Sequence, residues 1–186
     1  MKRFILILGP SGTGKSTIIK RLLAENPRLV YVTPYTDRPP RTGENFKISI
    51  TKDEFTKMEQ SGKFTAVNHY FTYRYGTPTD TIETALNDGN IPILDMILSG
   101  VEKFKEYKNI LYCIYIKPPS LKTLQERLLN DGRDITGQRF KEGKEELDML
   151  EAVHFQHPDI NIVIENSDLK TTLIEVQKAI ENISAN

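Results

Sequence analysis

The residues most suited to chemistry are Gly9, Pro10, Ser11, Gly12, Thr13, Gly14, Lys15 and Ser16, followed by Thr17, which satisfy G-x-x-x-x-G-K-[ST]. Glycines let a backbone turn its N–H groups onto a phosphate, and a helix starting at the loop adds a favourable dipole. Lys15 has the reach for the β- and γ-phosphates of a nucleoside triphosphate, and the Ser16 hydroxyl suits Mg²⁺. Chance yields such a match in roughly one per cent of chains of this length. Further along, Arg38 and Arg41 are separated by two stiffening prolines, a spacing that lets both fork onto one phosphate dianion. Asp95 closes the apolar run 91–95. A carboxylate there, beyond the carboxyl end of a parallel strand, lies where such sheets bind ligands. Asp95 is expected to hold Mg²⁺ through water or to orient an acceptor, with a simple helix cap as the alternative.

The elements that position these residues follow from periodicity. Residues 4–8 form a short continuous apolar run, as expected of a central parallel strand. Ile18, Ile19, Leu22 and Leu23 share one face of a helix over 15–25. Runs at 29–33, 91–95, 110–116 and 160–164 read as further strands. Thr51 and Glu54 form a capping box for a helix of about two turns. Thr77 reads as the N-cap of a helix with Pro78 at its first position and Gly89 at its end. Further helices are expected near 99–107, over 121–130 capped by Ser120, over 138–156, and after Asp168. Alternating strands and helices predict an α/β fold, a parallel sheet flanked by helices, in a single domain over 1–186. Between 34 and about 75 prolines, glycines, arginines and aromatics surround short strands at 46–50 and 64–67, marking a lobe inserted into a core of 1–33 and 76–186. The glycine-bearing segment 130–139 reads as a lid.

Composition narrows the partners. The chain has 186 residues, 38% hydrophobic and 27% charged, ordinary for a soluble domain. Lys+Arg and Asp+Glu both total 25, so there is no basic excess for gripping nucleic acid. The run 4–8 is too short for a signal segment, and no stretch reaches membrane-spanning length. The expected setting is the cytoplasm, with small-molecule nucleotides as partners, neither nucleic acid nor membrane, and a monomer or homodimer as the assembly. Cys113, in the apolar run 110–116, reads as an inert core thiol. His69, His154 and His157 show no metal spacing; the last two read as surface residues at a helix end, and His69 is a candidate for lining the inserted lobe.

The segment Thr36, Asp37, Arg38, Pro39, Pro40, Arg41, Thr42, Gly43, Glu44 resembles the phosphate-gripping segment of guanylate kinases, T-T-R-x-P-R-x-G-E. Tyr75, Gly76, Thr77 resembles that family's Y-G-[ST], and the loop has its form G-P-S-G-x-G-K-S-T. Pro118, Pro119, Ser120 and then Arg127, Leu128 match its P-P-S and R-L segments; Asn166, Ser167, Asp168, Leu169 resembles its N-D-D-L. The resemblance runs almost end to end. It implies a P-loop NTPase core with a monophosphate-binding lobe and a mobile lid. It further implies ATP bound by residues 9–17 and Asn166, with Mg²⁺ at Ser16 and Asp95. The acceptor would be held by Arg38, Arg41, Glu44, Tyr75, Thr77 and Asp95. Lys15, Arg38, Arg127, Arg133 and Arg139 are implied as catalytic cations against the transferred phosphoryl group. Arg133 stands in for an arginine of the family's R-G-x-G, since this chain reads Leu129, Asn130, Asp131, Gly132.

The departures concern the base. The family reads guanine with a glutamate in F-[IL]-E-W and the second aspartate of L-D-x-D, where this chain has Ala66 and Ile97. Pro34 replaces an assisting serine, and Lys47 lies near the place of a second phosphate-binding tyrosine. The expected function is an ATP-dependent nucleoside-monophosphate kinase with its base preference open. The alternatives are a kinase for another phosphorylated acceptor, such as ribose 1,5-bisphosphate, and a non-catalytic binding module, against which Lys15 and Ser16 argue.

Overall fold

The protein is described here by a computed structural model covering residues 2–40, 46–70, 72–132, 134 and 136–185. Five apolar residues, Phe4–Leu8, form strand β1 and are all fully buried. Because side chains alternate along a strand, Phe4, Leu6 and Leu8 join one core cluster while Ile5 and Ile7 join another. β1 lies at the centre of a five-stranded parallel sheet with β2 (Leu29–Tyr31), β7 (Ile91–Met96), β8 (Leu111–Lys117) and β9 (Ile162–Glu165), ordered β2-β7-β1-β8-β9. One face is covered by α1 (Lys15–Glu25) and α6 (Leu169–Ala185), through residues such as Ile18, Ile19, Val176 and Ile180. The other packs against α3 (Thr79–Asn87), a 3₁₀ helix over Leu98–Tyr107, α4 (Leu121–Asn130) and α5 (Gln138–Ala152). Among the described residues no helix is long and apolar enough to cross a membrane.

A second sheet carries the segment between β2 and α3. It joins β3 (Tyr35–Thr36), β4 (Ile48–Ser49), β5 (Phe64–Tyr70) and β6 (Tyr73–Pro78) in the order β4-β3-β6-β5. Helix α2 (Lys52–Gln60) rests on it through fully buried Phe55, and the Thr51–Glu54 capping box is formed at its start.

Several expected boundaries move. Thr77 does not cap α3: it continues β6, opposite Ala66, and Pro78 takes the cap position without a side-chain bond. Extended pairing with β5 draws Thr77 and Pro78 into the ladder, and nothing local announces that pairing. The segment at 99–107 is 3₁₀, not α, and Phe104 departs from helical geometry inside it. α5 stops at Ala152 instead of 156, because His154 and Phe155 take positive φ values of 50° and 56°. The strand expected over 46–50 shrinks to Ile48–Ser49, and β3 and β6 had no strand signal of their own. Cys113 is buried, as expected, and burial pushes its thiol up to about 12, with Asp159 adding to the shift. His154 is exposed and His157 half-buried.

The central position of β1 has a measurable consequence. Leu6→Ala should lower unfolding free energy by about 2–5 kcal/mol, the range for emptying a fully buried leucine site. Urea denaturation checks this, and an unchanged midpoint would contradict the packing described.

Candidate active site

The loop between β1 and α1 takes positive φ at Gly9, Gly12 and Gly14, and at the first and last of these a side chain would also collide. Gly9 has φ +133°, and a Cβ there would lie 2.3 Å from the Ile116 carbonyl oxygen. Gly14 has φ +94°, and its Cβ would meet Asn166 Nδ2 at 2.5 Å. Lys15 is folded back, its Nζ donating to the carbonyls of Gly9 at 2.6 Å and Pro10 at 2.8 Å. Asn166 Nδ2 donates to the Thr13 carbonyl at 2.8 Å, while Thr172 Oγ1 donates to Asn166 Oδ1 at 3.1 Å. Arg127 Nη2 donates to the Asn166 carbonyl at 2.9 Å. The loop is therefore braced from α4 and from the start of α6.

Asp95 stands near the end of β7. The Tyr31 hydroxyl donates to its Oδ1 at 2.6 Å, Lys47 Nζ donates to that hydroxyl oxygen at 3.3 Å, and Lys47 Nζ lies 3.9 Å from the carboxylate. Burial by itself would raise the Asp95 pKa. The charges of Lys47 and Lys15 and the Tyr31 bond outweigh it and hold the carboxyl below its ordinary value.

Arg38 is 5% exposed. The strand leading to it is pinned by Asp37, whose carboxylate accepts from the backbone N–H and the Nε of Arg74, both at 2.8 Å. Burial opposes the charge on Asp37, but the Arg74 bonds win and its pKa is lowered. Arg74 in turn stacks over Phe55, 4.4 Å from the ring centre. At the other side, Arg139 Nη1 donates to Ser11 Oγ at 3.2 Å and its guanidinium lies 5.1 Å from the Tyr70 ring centre. Arg139 thus touches both the loop and the second sheet. Its own position is set by Asp134, which accepts the N–H groups of Arg139 and Phe140.

Several of these groups line one cavity of about 1140 Å³, and the others brace them from behind. Single small-molecule sites run to about 1,000 Å³, so there is room for two nucleotides. Ser11, Gly12, Gly14, Lys15, Ser16, Thr17, Arg127, Arg139 and Asn166 line it with Asp95, Arg38, Tyr75 and Thr77. Gly9, Pro10 and Thr13 do not; they supply carbonyls to Lys15 and Asn166. Arg41, Glu44 and Arg133 lie outside the described residues. Six lining cations (Lys15, Arg38, Lys47, Lys103, Arg127, Arg139) face three lining carboxylates (Asp95, Glu102, Asp131), although the whole chain is neutral. Arg127 Nη1 is buried with no acceptor among the described residues, which suits a site built for anions.

Comparison with known proteins agrees with this geometry. The guanylate kinase family model matches residues 1–183. The chain belongs to the guanylate kinase family. It is 32% identical over 184 residues to guanylate kinase of Clostridioides difficile (strain 630), covering 96% of this chain and 86% of that one. It is 30% identical over 187 residues to guanylate kinase of Shouchella clausii (strain KSM-K16), covering 97% and 84%. The crystal structure of guanylate kinase from Anaplasma phagocytophilum superposes with a TM-score of 0.76 at 23% identity, covering 97% of this chain and 85% of that one. That likeness concerns the fold, the P-loop NTPase kinase fold expected from the sequence. Family membership makes the chain a phosphotransferase of the nucleoside-monophosphate kinase class.

Sequence reading missed several residues of this guanylate-kinase-family site. Tyr31 looked like an ordinary strand residue, and the order β2-β7 is what brings its hydroxyl to Asp95. His69 and Asn68, by contrast, were within reach of the sequence as residues of the inserted lobe, and they line the cavity with Tyr70. Glu146, on α5, accepts from the Tyr115 hydroxyl at 2.7 Å and from the Leu98 N–H at 3.3 Å, tying α5 to β8 and to the start of the 3₁₀ helix. Its only sequence signal would have been a carboxylate on a helix face otherwise turned inward, with Leu147 and Leu150 as neighbours.

Burial pushes the Glu146 pKa above its ordinary 4.5, and Tyr115, Lys15 and Leu98 pull it back only in part. A raised folded-state pKa means that protonation of Glu146 stabilises the fold below its ordinary value, and that this stabilisation is lost as pH rises through the folded value. Glu146→Gln should therefore show no such loss. Measured by urea unfolding across pH, the parent should lose stability relative to the variant above pH 4.5. Parallel pH profiles would refute the assignment.

Proposed function

We propose that the chain transfers the γ-phosphoryl group of ATP to the phosphate of a nucleoside monophosphate. One observation carries this reading: the loop residues and Lys15 line a single cavity together with Asp95, Arg38, Tyr75 and Thr77. Lys15 leaves the Gly9 and Pro10 carbonyls for the β- and γ-phosphates of ATP, whose adenine lies beside Asn166. Arg38 and Arg41 grip the acceptor phosphate with Glu44, Tyr75 and Thr77 around them. Arg127, Arg133 and Arg139 neutralise charge on the transferred group. An acceptor phosphate oxygen is already nucleophilic, so the protein contributes positioning and charge stabilisation. Residues 34–75 act as the acceptor lobe and 130–139 as a lid; both close to exclude water before transfer.

Among the described residues there is no cluster of three or more His, Cys, Asp or Glu for a metal. A hydroxyl at Ser16 and a carboxylate at Asp95 form the sparse hard-oxygen set that suits Mg²⁺ bound largely through phosphates and water. Held there, Mg²⁺ would neutralise charge on the β- and γ-phosphates.

The base end is apolar where the family has carboxylates. Ala66 is 4% exposed and packs in the core, and Ile97 is 37% exposed and lines the cavity. Guanine in the cavity would find no carboxylate at either position, since Ala66 does not line it and Ile97 does, so its N1–H and 2-amino donors lose those acceptors at about 1–3 kcal/mol each. Two such losses amount to about one to four decades in kcat/KM. Asn68 and Glu102 line the same end and are the groups that would rescue guanine. The apolar wall also favours a second reading, a base-free acceptor such as ribose 1,5-bisphosphate.

Steady-state kinetics with GMP, dGMP, AMP, CMP, UMP, dTMP and ribose 1,5-bisphosphate test both readings. GMP should fall at least about tenfold below the best acceptor in kcat/KM. A micromolar KM for GMP with clear preference would show that other residues read guanine, and no transfer to any acceptor would refute the kinase reading.

Arg38→Ala should weaken acceptor use by about 1.5–3 kcal/mol, the scale of a charged hydrogen bond, and leave ATP affinity unchanged. Loss of ATP binding with an unaltered acceptor KM would reverse the role assigned to Arg38.

A further inference from the structure

Lys47 takes no part in the mechanism above, yet its ammonium group enters the same cavity. Its side chain is 18% exposed, and among the described residues its polar neighbours are the Tyr31 hydroxyl at 3.3 Å and Asp95 at 3.9 Å. The second distance is an ion pair, too long for a hydrogen bond, so the ammonium keeps donors available for another anion. Asp95 meanwhile has its own short bond from Tyr31, at 2.6 Å, which does not depend on Lys47.

We propose that Lys47 is an exchangeable cation of the acceptor-phosphate site: it neutralises Asp95 while the site is empty and turns to the phosphate when the acceptor arrives. The proposal rests on the kinase reading given above. Placement supports it. Lys47 directly precedes β4, whose Ile48 pairs with Tyr35 of β3, and β3 leads into Arg38, so one pair of strands carries both cations into one cavity. Asp95 feels two positive charges, that of Lys47 from the acceptor lobe and, less strongly, that of Lys15 from the loop. A phosphate dianion is the stronger competitor for an ammonium than a singly charged carboxylate.

Exchange has a consequence for the second substrate. Once Lys47 has turned to the acceptor, the Asp95 carboxylate loses a neighbouring positive charge and becomes a better partner for Mg²⁺ carried by the nucleotide. Acceptor and Mg²⁺–nucleotide then bind with positive coupling, and linkage makes the effect reciprocal. A lysine serving only as a structural ion pair would produce no such coupling.

The test compares the parent with Lys47→Met, using the monophosphates of the acceptor panel and a non-hydrolysable ATP analogue with Mg²⁺. In the parent, calorimetry should show the analogue binding at least about fivefold tighter with saturating acceptor than without it. In the variant that ratio should fall to about one, and the acceptor KM should rise about 10- to 100-fold while kcat changes much less. Melting temperatures establish that the variant is folded, and Lys47→Gln carries the same comparison should Met prevent folding. A parental acceptor KM and undiminished coupling in a folded variant overturn the proposal and leave the kinase reading intact. If the parent phosphorylates none of the panel, both fail together.

Discussion

Like charges crowded around one cavity are the constraint on which the rest of this structure depends. Six cations line a space with three carboxylates, and each must be held in place against the repulsion of the others. The fold does so with backbone and side-chain acceptors that a phosphate can replace. Lys15 rests on two loop carbonyls, Arg127 on the Asn166 carbonyl, and Arg139 on the Ser11 hydroxyl and the Tyr70 ring. Carbonyl and hydroxyl partners satisfy a cation less strongly than an anion does, so the site stays receptive to phosphate. Asp95, the one carboxylate beside the loop's lysine in this set, is fixed by Tyr31.

That arrangement requires two frames. The parallel sheet supplies the first: β1 ends in the phosphate loop and its neighbour β7 ends near Asp95, and both are rigid because their side chains fill two fully buried layers. The second sheet supplies Arg38 and Lys47 from the opposite side, with the Asp37–Arg74 pair as its brace. Arg139 on α5 joins the frames by reaching the loop and Tyr70, and Glu146 on α5 ties β8 to the 3₁₀ helix. Partial burial of the Glu146 carboxylate disfavours its own charge, which is the expense of making that tie with a polar group.

The comparison of expectation with structure is most informative at β6 and at the 3₁₀ helix. Tyr73–Pro78 contains arginine, glycine and proline, and its Thr77 reads as a helix cap, yet it pairs along most of β5. Its strand character is imposed by a partner, as β-structure often is. The segment Leu98–Tyr107 has helical spacing, and its apolar side chains Leu98, Val101 and Phe104 are buried as that spacing suggests. It packs against β5, lines the cavity with Ser99, Gly100, Glu102 and Lys103, and is 3₁₀ with an irregularity at Phe104.

By itself the sequence determined what is decided within a few neighbouring residues. The glycines and lysine of 9–16, the apolar alternation of 4–8, the face of α1, the Thr51 and Ser120 caps and the alternation of strands with helices all rest on local sterics, local hydrogen bonds and period. Those interactions hold whatever the rest of the chain does. Only the tertiary structure decided that Tyr31 reaches Asp95, that Lys47 shares its charge, that Glu146 meets Tyr115, and that Ala66 is buried in the core while Ile97 lines the cavity. These contacts join residues 64, 48 and 31 positions apart in the first three cases. Whether such groups meet depends on strand order and register, and many orders are compatible with one pattern of hydrophobic and polar residues.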